Sequence, residues 1–167
     1  MSEHREAWVV YDSVHGNTRA IASAIAEGLR SSGPVQMVPA GDADPARWLG
    51  ARAVVLGCPT HGFSMSPAMK ELAAQLTRGT PSDVPLAAFD TRFGVEDMPS
   101  RVLKVIVSIV GKRAWAATDL AASASVQVRK LLAQPAGFFV RDTEGPLAKA
   151  SSSGPRRAGR ALITAPR

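Results

Sequence analysis

Ser13-Val14-His15-Gly16-Asn17-Thr18 separates the apolar run Trp8–Tyr11 from a stripe formed by Ile21, Ala22, Ile25 and Leu29. A short apolar run fits a buried strand, and apolar residues three and four apart fit one face of a helix. The six residues between them therefore form a turn from a strand into a helix. In a doubly wound α/β fold this is where backbone N–H groups and the positive end of the helix gather around an anion. Ser13 and Thr18 add hydroxyl donors, and the Asn17 amide can donate and also cap the helix. Gly16 permits close backbone approach and a positive φ. His15 adds positive charge when protonated, although backbone donors suffice without it. Two readings stand at this level: a phosphate cradle, or a polar turn that only starts a helix. The stretch has neither the Gly-x-x-x-x-Gly-Lys-Ser/Thr pattern nor Gly-x-Gly-x-x-Gly, which sets aside a P-loop and disfavours a dinucleotide fingerprint.

Further short apolar runs follow at Val35–Val38, Ala53–Leu56, Leu86–Phe89 and Gly137–Val140. Their length and their content of Val, Leu and aromatics fit strands buried on both faces of a parallel sheet. Gly33-Pro34 ends the first helix, and Asp44-Pro45 opens a short segment holding Trp48 and Leu49. Ser66 is placed to cap a second helix with Pro67 at its first position, Met69, Leu72, Ala73 and Leu76 as its buried stripe, and Gly79 as its end. Alternating strands and helices predict an α/β fold of three layers: a doubly wound parallel sheet of five strands with helices on both faces. Periodicity does not separate helix from strand in Val102–Val110. We read that segment and Leu120–Leu132 as two helices.

At 167 residues the chain predicts one domain, large enough to bury a core without disulfides or structural metal. The single cysteine, Cys58, reads as a buried, inert thiol, and no Cys/His spacing matches a zinc site. The polar N-terminus lacks the apolar core of a signal peptide, and no apolar run is long enough to span a bilayer. The cytoplasm is therefore the expected location, with no membrane association. Of the net charge of +6, residues 148–167 hold +5 through Lys149, Arg156, Arg157, Arg160 and Arg167, with no acid, leaving +1 for residues 1–147. The division read here is a domain over 1–147 and a basic Ser/Pro-containing tail over 148–167. The tail is either disordered or a degraded last helix. It lacks interleaved aromatics and any recognisable binding module, so nucleic acid is not the expected partner.

The ordered set of motifs resembles the flavodoxin family. Ser13 to Thr18 is similar to that family's phosphate loop, Ser/Thr-x-x-Gly-Asn-Thr. Gly57-Cys58-Pro59-Thr60-His61-Gly62-Phe63 is similar to the loop after the third strand. Phe89-Asp90-Thr91-Arg92 follows the fourth strand, and Phe138-Phe139-Val140 with Glu144-Gly145-Pro146-Leu147 follows later. The resemblance implies a flavodoxin-like fold of strand order 2-1-3-4-5, with FMN at the carboxyl edge of the sheet. It implies that Ser13, Val14, His15, Gly16, Asn17 and Thr18 surround the phosphate. Pro59, Thr60, His61, Gly62 and Phe63 would border the flavin ring, and Thr91, Arg92 and Phe93 would lie on its other side. Phe63 or Phe93 would stack on the ring, and His61 would donate to a flavin carbonyl or protonate the reduced cofactor. Trp115 reads as a core residue.

The implied function is electron transfer, or a small flavin oxidoreductase, working with a redox partner protein. The alternative is a flavodoxin-fold protein without flavin, acting as an interaction or regulatory module. No residues indicate a nicotinamide site, no metal site is expected, and Asp12 and Asp90 lack the acid cluster and Lys of a phosphoacceptor domain. The chain departs from the family in three places. Residues 94–135 lack the Gly-Ser-Ala segment that similar chains carry. The basic charge removes or reverses the docking logic of acidic electron carriers. After Gly-Pro-Leu, similar chains read Gly-Glu-Leu-x-Arg-Ala, whereas this one has Ala150-Ser151-Ser152-Ser153-Gly154-Pro155. The codons GGC GAG CTC GAG CGG GCC C spell Gly-Glu-Leu-Glu-Arg-Ala, and one base later they spell Ala-Ser-Ser-Ser-Gly-Pro. A frame displacement would account for the segment, and the nucleotide sequence of the gene tests that hypothesis.

Overall fold

The computed structural model describes residues 5–60, 65–79, 84–93, 132 and 136–140. The short apolar runs form strands β1 (Ala7–Tyr11), β2 (Val35–Pro39), β3 (Ala53–Pro59), β4 (Leu86–Phe93) and β5 (Ala136–Val140). All neighbouring pairs are parallel, and the strand order is β2-β1-β3-β4-β5. After β1 the chain crosses to one side of the sheet, and after β2 it returns to the other side of β1. β1 and β3 therefore flank the point where the strand order reverses, the position at which folds of this kind place ligands.

Side chains alternate across the sheet, so each face has its own core. Val9, Val55, Ala87, Phe89 and Phe138 pack under helix α1 (Asn17–Arg30), which contributes Ile21, Ala22, Ile25 and Leu29. Val10, Val54, Leu56, Cys58, Leu86 and Ala88 pack on the other face under helix α2 (Pro67–Gly79). That face also holds Trp48, Met69, Leu72 and Leu76. Cys58 is buried in this second core. Gly57 is the one β3 position where α1-side packing requires the absence of a side chain: a Cβ there would run into the Phe89 ring. Phe89 instead meets Phe138 edge to face, with centroids 5.9 Å apart.

The local signals act as the residue types dictate. Ser66 Oγ accepts from the Met69 N–H at 3.4 Å, and Asp44 Oδ1 accepts from the Ala46 N–H at 3.0 Å ahead of a 3-10 turn, Pro45–Trp48. Helix α1 ends at Arg30, and the Ser32 and Gly33 N–H groups turn back onto the Leu29 and Arg30 carbonyls, with Gly33 at φ 136° ahead of Pro34. The Arg52 Nη2 donates to the Leu29 carbonyl at 2.9 Å, and burial lowers the pKa of this guanidinium. Strand β4 runs on to Phe93, four residues past its apolar core, because the polar Asp90 and Thr91 find partners within the sheet edge. The expected helices at Val102–Val110 and Leu120–Leu132 fall outside the described residues except at Leu132, whose N–H donates to the Leu86 carbonyl at 2.8 Å. The 148–167 tail also lies outside them. Among the described residues, no helix is long and apolar enough to cross a membrane.

Candidate functional site at the carboxyl edge

The loop after β1 is fixed at its start by the Asp12 N–H, which donates to the Gly57 carbonyl of β3 at 2.9 Å. Ser13 Oγ then accepts from the Gly16 N–H at 3.1 Å, closing the loop on itself and leaving the Ser13 hydroxyl proton to donate elsewhere. Gly16 has φ 89°, a left-handed conformation that a Cβ disfavours. The cap position of α1 thus falls to Gly16, and Asn17 enters the helix as its first residue. No side chain caps the helix at Gly16, and no acidic residue stands in its first turn. Val14, His15 and Gly16 are exposed. The positive end of α1 therefore lies at the carboxyl end of β1 with no acidic residue in its first turn.

Thr18 points inward from that first turn and is only 2% exposed. Its Oγ1 lies 2.8 Å from the Oγ1 of Thr91, which is 5% exposed at the end of β4. The first turn of α1 and β4 are thus joined through the Thr18 and Thr91 hydroxyls.

A second polar group lies on the opposite face of the same strand end. Asp90 is fully buried, and a buried carboxylate requires partners. Arg92 supplies Nε at 2.6 Å and Nη2 at 2.5 Å from Oδ1, and Thr60 Oγ1 donates to Oδ2 at 3.2 Å. The Thr60 N–H donates to the Thr91 carbonyl at 3.0 Å. Thr60, directly after β3, is therefore bound to β4 by one backbone and one side-chain hydrogen bond. The Arg92 guanidinium occupies the space that a side chain at Gly137 of β5 would fill.

Ser13, Val14, His15, Gly16, Asn17 and Thr18 thus form one loop at the head of α1. Pro59 and Thr60 end β3 beside Thr91 and Arg92. His61, Gly62, Phe63 and the Phe93 side chain lie outside the described residues. Asp90 joins the residues expected from sequence as the centre of the second polar group. Its signal is an acid and a base two apart in a strand, which places both on one face. A cavity of about 400 Å³ at the other edge of the sheet, lined by Arg5, Trp8, Arg47 and Leu49, lies away from these loops.

Residues 9–117 match the model of the Flavodoxin family. The chain belongs to the flavodoxin family. Solved structures share the flavodoxin fold at low identity. An archaeal flavodoxin has a TM-score of 0.68 at 21% identity, with 94% of this chain and 95% of that chain covered. Flavodoxin 1 from Bacillus cereus has a TM-score of 0.75 at 11% identity, covering 97% and 99%. The flavodiiron core of Flv1 from Synechocystis sp. PCC6803 has a TM-score of 0.71 at 14% identity. It covers 98% of this chain but 36% of that one, so the fold also occurs as part of a larger protein. No curated protein matches the sequence.

Proposed function

We propose that this flavodoxin-family protein binds FMN and carries electrons between a reductase and an acceptor protein in the cytoplasm. The carrying observation is the open positive end of α1, with Gly16 at φ 89°, no side-chain cap at Gly16 and no first-turn acid. These features fit a phosphate dianion, which backbone N–H groups and hydroxyls can hold without a lysine. Ser13 to Thr18 would hold the phosphate. Pro59, Thr60, His61, Gly62 and Phe63 would border one side of the ring, with Thr91, Arg92 and Phe93 towards the other. The bonds among Thr60, Asp90, Thr91 and Arg92 hold these four residues in place without a ligand, which limits the entropy they would lose on binding. FMN, when bound, supplies the redox chemistry, and the protein's part is to position the ring and tune its surroundings.

The test is the visible absorption spectrum of the purified protein and its fluorescence titration with FMN. Oxidised-flavin bands and quenching of added FMN are expected. A protein that neither perturbs nor quenches FMN overturns the proposal and favours an interaction module built on the same fold.

A further inference from the structure

Thr91 lies at the end of β4, in the stretch that the flavodoxin resemblance associates with the flavin ring. Its side chain and its backbone point to different tasks. The side chain shares a 2.8 Å hydrogen bond with Thr18 in the first turn of α1, whereas the carbonyl accepts from the Thr60 N–H at 3.0 Å. Side chains alternate along a strand, so Thr91 faces α1, while Asp90 and Arg92 face away from it.

We propose that Thr91 is a positioning residue for the phosphate end of the cofactor, acting through Thr18; this rests on the FMN reading above. Each hydroxyl carries one proton. The hydrogen bond between the two residues uses one proton and leaves the other. When Thr91 donates to Thr18, the Thr18 proton is released to point at an anion over the head of α1. The acceptor role also holds Thr18 Oγ1 in one orientation, so the bond to the anion carries little further ordering cost. Both residues are almost fully buried and their hydrogen bond lies inside the fold, so water does not readily take the place of the Thr91 hydroxyl. Removing the Thr91 hydroxyl leaves Thr18 without that partner and lets its proton turn elsewhere. The backbone bond from Thr60 to the Thr91 carbonyl survives such a change, so the loop beside the ring keeps its place.

The experiment compares FMN with riboflavin, which has the same ring and no phosphate, by fluorescence quenching. Thr91→Val keeps the branched shape and deletes the hydroxyl; Thr91→Ser keeps the hydroxyl. Thr91→Val is expected to weaken FMN by about tenfold, the order of one hydrogen bond to a charged group, and riboflavin by clearly less. Thr91→Ser is expected to restore the FMN-to-riboflavin ratio. In a Thr18→Val background the effect of Thr91→Val on FMN should vanish, because the two hydroxyls act as one unit. An equal loss for both ligands would overturn the inference and make Thr91 a ring-side or purely structural residue. Additive effects of the two valine substitutions on FMN would overturn it as well. A wild-type protein that binds neither ligand overturns the FMN reading and this inference with it. Wild-type FMN binding with an unchanged ratio in Thr91→Val overturns this inference alone.

Discussion

The two ends of helix α1 are treated in opposite ways. At its C-terminus, the negative end, Arg52 brings a guanidinium onto the Leu29 carbonyl, with Gly33 and Pro34 carbonyls at 3.4 and 3.5 Å, and Ser31 Oγ donates to the Gly28 carbonyl at 2.9 Å. At its N-terminus, the positive end, Gly16 provides no side-chain cap and the first turn has no acid. The C-terminal end is met by Arg52 and Ser31, whereas at the N-terminal end the first turn holds no acid and Gly16 no side-chain cap. A helix placed only to cover the sheet would gain from closing both ends, each by a fraction of a kcal/mol to about 1 kcal/mol. A first turn with neither acid nor side-chain cap at Gly16 is what the anion site proposed above requires.

Arg52→Met should have the largest effect on stability. The methionine keeps an apolar stem but removes the guanidinium, and a loss of about 2 kcal/mol in urea unfolding is expected. FMN affinity of the folded variant should stay near wild type, because the change lies at the closed end. An unchanged unfolding midpoint would show that the Arg52 contacts contribute nothing net. Gly16→Ala tests the open end. Space around a Cβ there is clear, so the cost comes from φ 89° alone and should be about 1 kcal/mol. FMN binding should weaken with it; a variant as stable and as tight as wild type would mean that the loop does not need its left-handed turn. Arg19→Glu should be the smallest and the most diagnostic. An acid in the first turn supplies the missing internal counter-charge, raising the stability of the ligand-free protein by about 0.5 kcal/mol while weakening FMN. Both effects should shrink as salt is added. Tighter FMN binding in this variant would contradict an anion site at the head of α1.

Arg52 and Thr18 also mark the limit of what could be read without the fold. The Ser13–Thr18 loop, the five apolar runs and the Ser66-Pro67 helix start were legible because each depends on neighbours within a few residues, through periodicity, capping and turn chemistry. The ends of α1 and β4 were less legible. Arg52 meets the Leu29 carbonyl at the end of α1 from more than 20 residues away, and past Phe89 in β4 Asp90 and Thr91 find partners in Arg92, Thr60 and Thr18.

By itself the sequence determined the type of protein: alternating strands and helices, a glycine-bearing polar turn at the first of them, and the motif order of the flavodoxin family. Only the tertiary structure decided which polar groups meet. The parallel register places Thr91 beside the first turn of α1 although Thr18 lies 73 residues earlier, and it buries Asp90 where Thr60 can reach it. Local rules fix the direction of a side chain along its own element. Its partner is fixed by the packing of elements far apart in the chain, and no sequence spacing records that distance.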